Sequence, residues 1–257
     1  MKIALAQLDC EVGDLDGNCA KITNFAADAA RQNCQLILFP EMTDTGYDTV
    51  VIPQVAQSWA GKPFSIVSAA ARDNTITIGC GLAERQGEAI YNSFAMFDPT
   101  EKLLAKYRKT HLFTAEPLQE DTCFTAGSEL VNVTVNNINC GLSICYDLRF
   151  SDLYRSLTRT GAELLINSAA WPASRGNHWD VLTRARAIEN QAYFIGINRA
   201  GTDADIQLAG HSCIIAPTGE LIVEGTATEE ELLIGEIDIH NVTTFRQQIP
   251  AVRSWHR

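Results

Sequence analysis

Residues 141–150 read GLSICYDLRF, in which a short apolar run leads directly into a cysteine, a tyrosine, an aspartate and an arginine. Strands usually end at glycine, asparagine or proline, so the thiol of Cys145 stands out. If LSIC is a strand and DLRFSDLYRSL a helix, Cys145 lies at a helix N-terminus, where the helix dipole stabilises a thiolate. The backbone N–H of Tyr146 would then point toward an oxyanion. The same ten residues also fit a buried cysteine that ends a strand, so both interpretations stay open here.

The composition limits the class of protein. With 257 residues, 46% of them hydrophobic and 20% charged, the chain has the make-up of a globular protein of one large or two small domains. Its net charge of −11 disfavours binding to nucleic acid or anionic membranes. No apolar run reaches the length of a membrane span, and acidic residues interrupt the N-terminus before a signal peptide develops. We therefore expect a cytoplasmic enzyme or binding protein, with neither nucleic acid nor a membrane as partner.

The eight cysteines lie mostly in apolar runs and form no Cys-x-x-Cys pair, so neither a disulfide framework nor a zinc site is indicated. Apart from Cys145 we expect them to be reduced and buried. Because no Gly-rich phosphate loop or His-Glu metal motif is present, we expect no cofactor and no metal.

Strand and helix patterns alternate along the chain. Hydrophobic periodicity predicts a strand at KIALAQLD, a helix after Asp16, a strand at QLILFPE and a helix through PFSIVSAAARDN. Paired strands follow at TITIGCGLAER with AIYNSFAMFDP, and at LVNVTV with CGLSIC around the turn-rich segment 136–139. A strand at AELLINSAA, a helix from about Asn177 bearing Val181, Ala185, Ile188 and Ala192, and four further strands complete the pattern. This mixture predicts an α/β protein whose helices cover its sheets.

The whole chain, 1–257, is expected to form a single domain, because no low-complexity linker divides it. The tail at about 239–257 carries Phe245, Ile249, Pro250 and Trp255, which is too apolar for a free end. We expect this tail to pack on the body or on a second subunit.

Two charged residues follow apolar strands and could serve the Cys145 thiol. Glu41 comes directly after LILFP, and Lys109 follows LLAKYR. Glu41 could take the thiol proton, pass it to a departing nitrogen and later activate water, while Lys109 would stabilise an anionic intermediate. The reference pKa values of Glu and Cys put about 6 kcal/mol against this proton transfer. We expect burial to raise the pKa of Glu41, and Lys109 with the helix terminus to lower that of Cys145.

The segments FPE, YRKTHLF and ICYDLRF, in this order, resemble the Glu-Lys-Cys triad of the nitrilase or carbon-nitrogen hydrolase superfamily. The later HWDVLTRARAIENQAYFIGINR and GHSCIIAPTGE also resemble that superfamily, so the match spans nearly the whole chain. The resemblance implies an αββα sandwich, assembled as a homodimer or larger homo-oligomer through helices that include the one after the nucleophile. It also implies a second glutamate between Lys and Cys that holds the lysine; Glu120 is the better counterpart and Glu116 the competitor.

CYDLRF, with the WPASR, HW and ARAIENQ segments, resembles the omega-amidases among these enzymes. That resemblance implies hydrolysis of the terminal amide of small 2-oxo acid amides, 2-oxoglutaramate and 2-oxosuccinamate; the alternative is another C–N substrate, namely deaminated glutathione, an N-carbamoyl amine or an aliphatic nitrile. An anionic substrate requires a cation, for which Arg149 and Arg175 are candidates unless they form structural ion pairs. Tyr47 and Trp171 would line the pocket or belong to the core.

A Cys–His pair is a further way to activate a thiol, with His178 and His211 as candidates. We favour the Glu41 and Lys109 arrangement because a Cys–His pair would leave both of those residues without a role. A binding protein that kept the fold without catalysis is the alternative from another class.

Overall fold

The computed structural model describes residues 1–116, 118–203, 205–252 and 254. Of the apolar tail residues, Trp255 lies outside the described ranges. The helices are α1 (Leu15–Arg31), α2 (Ile52–Val55), α3 (Lys62–Asn74), α4 (Ser151–Arg159), α5 (Gly176–Asn190) and α6 (His240–Gln248). Short 3₁₀ turns span Glu120–Thr122, Cys145–Arg149 and Ala173–Arg175.

Two large sheets hold most of the strands. The first has the order β15-β1-β2-β4-β5-β6, with β3 also paired to β4; its strands are β1 (Lys2–Gln7), β2 (Leu36–Leu38), β3 (Gln57–Ser58), β4 (Thr77–Gln86), β5 (Ala89–Phe97), β6 (Leu103–Arg108) and β15 (Glu231–Glu236). The second has the order β14-β13-β10-β9-β8-β7; its strands are β7 (Asn132–Val135), β8 (Ile138–Ile144), β9 (Leu164–Ala169), β10 (Tyr193–Asn198), β13 (Cys213–Ile215) and β14 (Leu221–Glu224). A small hairpin pairs β11 (Thr202–Asp203) with β12 (Ile206–Gln207).

The two sheets pack face to face, and helices cover their outer surfaces. Successive residues of a strand point to opposite faces. In β1, Ile3 and Leu5 therefore enter the core between the sheets, whereas Ala4 and Ala6 join the cluster beneath α1 and α3. The outer face of the second sheet packs in the same way against α4 and α5. The architecture is the four-layer αββα sandwich that the family resemblance implies.

Two local expectations need correction. The α-helix after Cys145 begins only at Ser151, because residues Cys145–Arg149 form a 3₁₀ turn; the thiol therefore lies outside the first turn of α4, where the helix dipole acts. In α5, Val181 and Ile188 are 65% and 49% exposed, while the buried face carries Trp179 and polar side chains. Of the apolar stripe read from the sequence, Val181 and Ile188 thus face outward, whereas Ala192 lies after α5 and is buried.

The C-terminal tail packs on the body as far as it is described. Arg246 of α6 donates hydrogen bonds to the carbonyl oxygens of Ala162, Asn190 and Gln191, and the Gln191 side chain donates to the carbonyl oxygen of Ile249. One domain over residues 1–257 stays a prediction. No helix in the described part of the chain is long and apolar enough to cross a membrane.

Candidate active site

Strands from both sheets end at the same place. In the first sheet, β2 and β6 run in the same direction, and in the second sheet β8 and β9 do so as well. Glu41 follows β2, Lys109 follows β6, and Cys145 follows β8. The carboxyl ends of parallel strands are where an open α/β sheet presents its functional side chains, and here the two sheets bring theirs together.

Glu41 is fully buried and held by three donors. Its Oε1 accepts hydrogen bonds from the Asn92 side chain (2.6 Å) and from Lys109 Nζ (3.0 Å), and its Oε2 accepts from the backbone N–H of Ala170 (2.7 Å). The backbone before it lies close against β4: a Cβ on Gly81 would stand 2.4 Å from the Pro40 carbonyl oxygen. Glu41 is therefore fixed in orientation, with acceptor capacity left on Oε2.

Lys109 lies between two carboxylates. Its Nζ is 3.0 Å from Glu41 Oε1 and 2.7 Å from Glu120 Oε1, and all three side chains are at most 2% exposed. Glu120 also accepts from the Tyr47 hydroxyl and, through Oε2, from the backbone N–H of Phe113 at 2.9 Å. Of the two glutamates considered from the sequence, Glu120 is the one that binds Lys109. The two carboxylates raise the pKa of Lys109 well above its ordinary value against the opposing effect of burial, so the side chain stays charged.

Cys145 has a backbone conformation that residues other than glycine rarely adopt. Its φ is +43°, in the left-handed region. Tyr146 follows it in the 3₁₀ turn, so its N–H belongs to the first turn, whose N–H groups find no acceptor within the helix. A sharp turn that places a side chain beside free N–H groups has the features of a nucleophile elbow.

The pKa shifts agree with the expectation for Glu41 and contradict it for Cys145. Burial raises the pKa of Glu41, while Lys109 and the Asn92 hydrogen bond oppose the rise. Burial also raises the pKa of Cys145 well above its ordinary value; the charge of Glu41 adds to this and Lys109 only opposes it. The lowered thiol pKa expected from the sequence is therefore wrong, because desolvation outweighs the ammonium group. The resting thiol is protonated, and Glu41 lines the same pocket as Cys145.

Glu41, Glu120 and Cys145 line one narrow pocket of about 30 Å³. Its lining includes every side chain predicted to contact substrate: Tyr47, Arg149, Trp171 and Arg175. A larger cavity of about 350 Å³ adjoins it beneath the β11–β12 hairpin and shares Tyr47 and Arg175. Tyr47 and Trp171 are both buried and belong to the core as well as to the pocket wall.

Arg149 and Arg175 have aromatic rather than acidic neighbours. The Arg149 guanidinium lies 4.7 Å from the Trp171 ring, and that of Arg175 lies 5.2 Å from the Phe113 ring. Burial lowers the pKa of Arg149, and the charge of Arg175 adds to that effect. Among the described residues neither guanidinium forms an ion pair with a carboxylate. The structural ion pairs considered from the sequence are thus not formed there.

The histidines lie elsewhere. No histidine of the described ranges lines the pocket around Cys145. His178 Nδ1 lies 3.4 Å from a guanidinium nitrogen of Arg149, and His211 Nδ1 lies 3.3 Å from Asp180 Oδ1. His211, Asp180 and Glu224 form a group of possible metal ligands, but none of the three lines the pocket. The arrangement therefore offers Cys145 the Glu41 carboxylate rather than an imidazole.

Two residues that the sequence analysis did not single out contact this machinery. Asn92 bonds Glu41 through its side chain and accepts the Lys109 N–H at its carbonyl oxygen (2.9 Å). Asp147 is fully buried behind Cys145 and accepts the N–H of Ile144. Both carry a signal in the sequence: each is a polar residue beside an apolar run, and buried polar groups need partners.

The comparisons with known proteins agree with this geometry. Residues 2–247 match the family model described as carbon-nitrogen hydrolase. The chain is 32% identical over 260 aligned positions to omega-amidase NIT2 of Homo sapiens, covering 98% of this chain and 94% of that protein. It is 32% identical over 249 positions to the 2-oxoglutaramate amidase of Bacillus subtilis (strain 168), covering 96% and 95%. Among solved structures, a glutamate-to-glutamine variant of the amidase from Nesterenkonia sp. AN1, with acrylamide added to its active-site cysteine, has a TM-score of 0.87 and 26% identity, covering 99% of each chain.

Proposed function

The chain belongs to the carbon-nitrogen hydrolase family, and we propose that this cysteine-dependent amidase cleaves the terminal amide of small 2-oxo acid amides. The substrates are 2-oxoglutaramate and 2-oxosuccinamate, and the products are ammonia with 2-oxoglutarate or oxaloacetate. One observation carries the proposal: two guanidinium groups without a carboxylate partner in the described ranges line the same pocket as the thiol. The names of the human and B. subtilis relatives point to the same activity.

The first half of the reaction forms a thioester. Cys145 gives its proton to Glu41 as its sulfur attacks the amide carbon, and Oε2 is the atom with acceptor capacity to spare. The oxyanion that forms accepts hydrogen bonds from Lys109 Nζ and the backbone N–H of Tyr146. Glu41 then protonates the nitrogen, the C–N bond breaks and ammonia leaves. Transfer during attack avoids a free thiolate, which the buried site disfavours.

The second half returns the thiol. Glu41 takes a proton from water, the hydroxide adds to the thioester carbon, and the C–S bond breaks as the sulfur recovers a proton. Glu120 keeps Lys109 charged and in place throughout, because its carboxylate lies 2.7 Å from the ammonium group. Tyr47 in turn fixes Glu120 through its hydroxyl.

The far end of the substrate carries a carboxylate, which the two arginines would bind. A guanidinium can hold a carboxylate through two parallel hydrogen bonds. The two positive charges are only partly shielded by aromatic rings, so an anion between them relieves their repulsion. Specificity for an anionic acyl chain then comes from Arg149 and Arg175, in a chain whose net charge is −11.

The test is ammonia release from 2-oxoglutaramate. We expect turnover by the wild type, none by Cys145→Ala, and near-normal turnover by Cys123→Ala, which removes another half-buried thiol. Arg149→Met and Arg175→Met should raise KM for 2-oxoglutaramate while leaving turnover of the neutral butyramide unchanged. Full activity of Cys145→Ala would refute the nucleophile, and equal effects on both amides would refute the carboxylate site.

The adjoining cavity supports a second candidate. Its volume of about 350 Å³ exceeds what a departing ammonia needs, so an amide with a larger amine, such as deaminated glutathione, would also fit. Relative kcat/KM values for 2-oxoglutaramate, deaminated glutathione, an N-carbamoyl amine and an aliphatic nitrile separate these candidates.

We also propose a homodimer or larger homo-oligomer in the cytoplasm. Val181 and Ile188 expose an apolar face on α5, which a second copy of the chain would cover. All eight cysteines are free thiols, as is usual in a reducing compartment.

A further inference from the structure

Asp147 is a buried carboxylate at the centre of a polar cluster. Its Oδ2 accepts hydrogen bonds from the Tyr107 hydroxyl (2.8 Å) and the backbone N–H of Ile144 (2.9 Å). Its Oδ1 accepts from the backbone N–H of His111 (3.1 Å), from His111 Nδ1 (2.7 Å) and from the Thr110 hydroxyl (3.2 Å). The side chain is fully buried and does not line the pocket around Cys145. It therefore acts on other protein groups rather than on substrate.

The donors come from the two segments that carry the lysine and the thiol. Tyr107 lies in β6 of the first sheet, and Thr110 and His111 follow that strand, so the three flank Lys109 in the chain. Ile144 precedes Cys145 and ends β8 of the second sheet. One carboxylate thus joins the two sheets at the point where the pocket lies.

The Cys145 backbone needs such support. Its φ of +43° is unfavourable for a residue with a side chain and persists only where neighbouring contacts enforce it. The bond from the Ile144 N–H to Asp147 closes the turn across Cys145. On the other side, the His111 ring stacks on Phe150 with centroids 3.7 Å apart and covers the cluster.

We propose that Asp147 is a positioning residue that sets the separation of the Lys109 ammonium group from the Cys145 thiol by holding both backbone segments at once. The inference rests on the proposed function for the roles of Lys109 and Cys145. A displacement of about 1 Å between reacting groups can lower a rate about 100-fold. Losing this link therefore affects the chemical step more than substrate binding.

The test combines Asp147→Asn with removal of one donor. Tyr107→Phe deletes the hydroxyl that bonds Asp147, and Tyr154→Phe is its matched control, since that hydroxyl is buried but bonds Ser143 and Asn167 instead. Each single and double variant is assayed for kcat and KM on butyramide, for thermal unfolding, and for the rate of acrylamide addition to Cys145. The addition reaction needs no knowledge of the substrate and is known at the active-site cysteine of the glutamate-to-glutamine variant of the Nesterenkonia amidase.

We expect Asp147→Asn to lower kcat and the acrylamide rate by about 10–100-fold, with KM within about 2-fold. Tyr107→Phe should cost about 3–10-fold, but little more once Asp147 is changed, because both act through one link. Tyr154→Phe should have the same small effect on kcat and the acrylamide rate in the wild-type chain and in Asp147→Asn. If Asp147→Asn does not fold, Tyr107→Phe and Thr110→Val carry the test, each removing one donor.

Two results would overturn the positioning role: wild-type rates in folded Asp147→Asn, or independent effects of Asp147→Asn and Tyr107→Phe. A loss confined to the melting temperature would mean that the cluster only stabilises the fold. If wild-type protein adds acrylamide at Cys145 but hydrolyses no amide, the proposed function fails while the labelling rates still decide the role of Asp147.

Discussion

Replacement of Lys109 by methionine tests the charge balance of the site. Lys109 is the ammonium group between the buried carboxylates Glu41 and Glu120, at 3.0 and 2.7 Å. Removing one partner of a buried ion pair costs about 3–5 kcal/mol, because the other charge stays buried and uncompensated. For a chain of this size, about 2 °C of melting temperature per kcal/mol gives a fall of about 6–10 °C.

The loss should depend on pH with a defined sign. Burial raises the folded pKa of Glu41 above its ordinary value of 4.5, and Lys109 opposes that rise. Without Lys109 the folded state binds a proton on Glu41 up to a higher pH than the unfolded state does. Stability therefore falls as pH increases above about 4.5 and through the raised pKa, so the variant should be weakest relative to wild type at pH 8 and closest to it at pH 5.

Urea unfolding of both proteins at pH 5 and pH 8 measures the effect, and Lys106→Met is the matched control. Lys106 pairs with Glu84 at 2.6 Å but is 28% exposed, and Glu84 keeps its ion pair with Arg108. The control should lose less than about 1 kcal/mol. If Lys109→Met loses no more than the control at pH 8, the uncompensated-charge argument is wrong.

Three further outcomes follow from particular contacts. Asn92→Ala removes a hydrogen bond that lowers the pKa of Glu41, so the acid limb of the kcat/KM profile should move to higher pH; an unmoved limb would show that Asn92 does not tune the base. Gly81→Ala would push a methyl group against the Pro40–Glu41 backbone. We expect a larger effect on kcat than on the melting temperature, measured by parallel assays of turnover and thermal unfolding. Val181→Glu with Ile188→Glu places charges on the exposed face of α5; sedimentation velocity should show a smaller species than wild type, and an unchanged species would place the interface elsewhere.

The layers of the fold follow from patterns that are local in the sequence. The period-two alternation in β1 and the apolar faces of α1 and α3 are visible within a few residues of sequence. Predicting the αββα arrangement required only the family resemblance in addition. The outward orientation of Val181 and Ile188 on α5 was not predictable in this way, because apolar residues at helical spacing look the same whether they face the body or lie on the outside. The buried face of α5 instead carries polar groups, such as Arg186, which bonds the Leu148 carbonyl oxygen.

The sequence predicted which residues form the candidate site, but it did not predict the direction of the Cys145 pKa shift. Glu41, Lys109 and Cys145 each follow an apolar strand, and that placement is visible in one dimension. Whether burial or the ammonium group governs the Cys145 pKa depends on desolvation in three dimensions, which no spacing encodes. Tyr107 and His111, two of the partners of Asp147, lie about 40 residues away in the chain, so its role appears only once the sheets are packed together.

The left-handed φ of Cys145 has an evolutionary consequence. Glycine is the residue most at ease in that conformation, whereas any side chain there strains the backbone by about 1–2 kcal/mol. A Cys145→Gly chain would lose its nucleophilic sulfur and gain conformational stability. Backbone stability therefore favours glycine at this position, whereas catalysis requires a thiol. Persistence of a thiol here in descendants of the gene would itself be a record of selection for turnover.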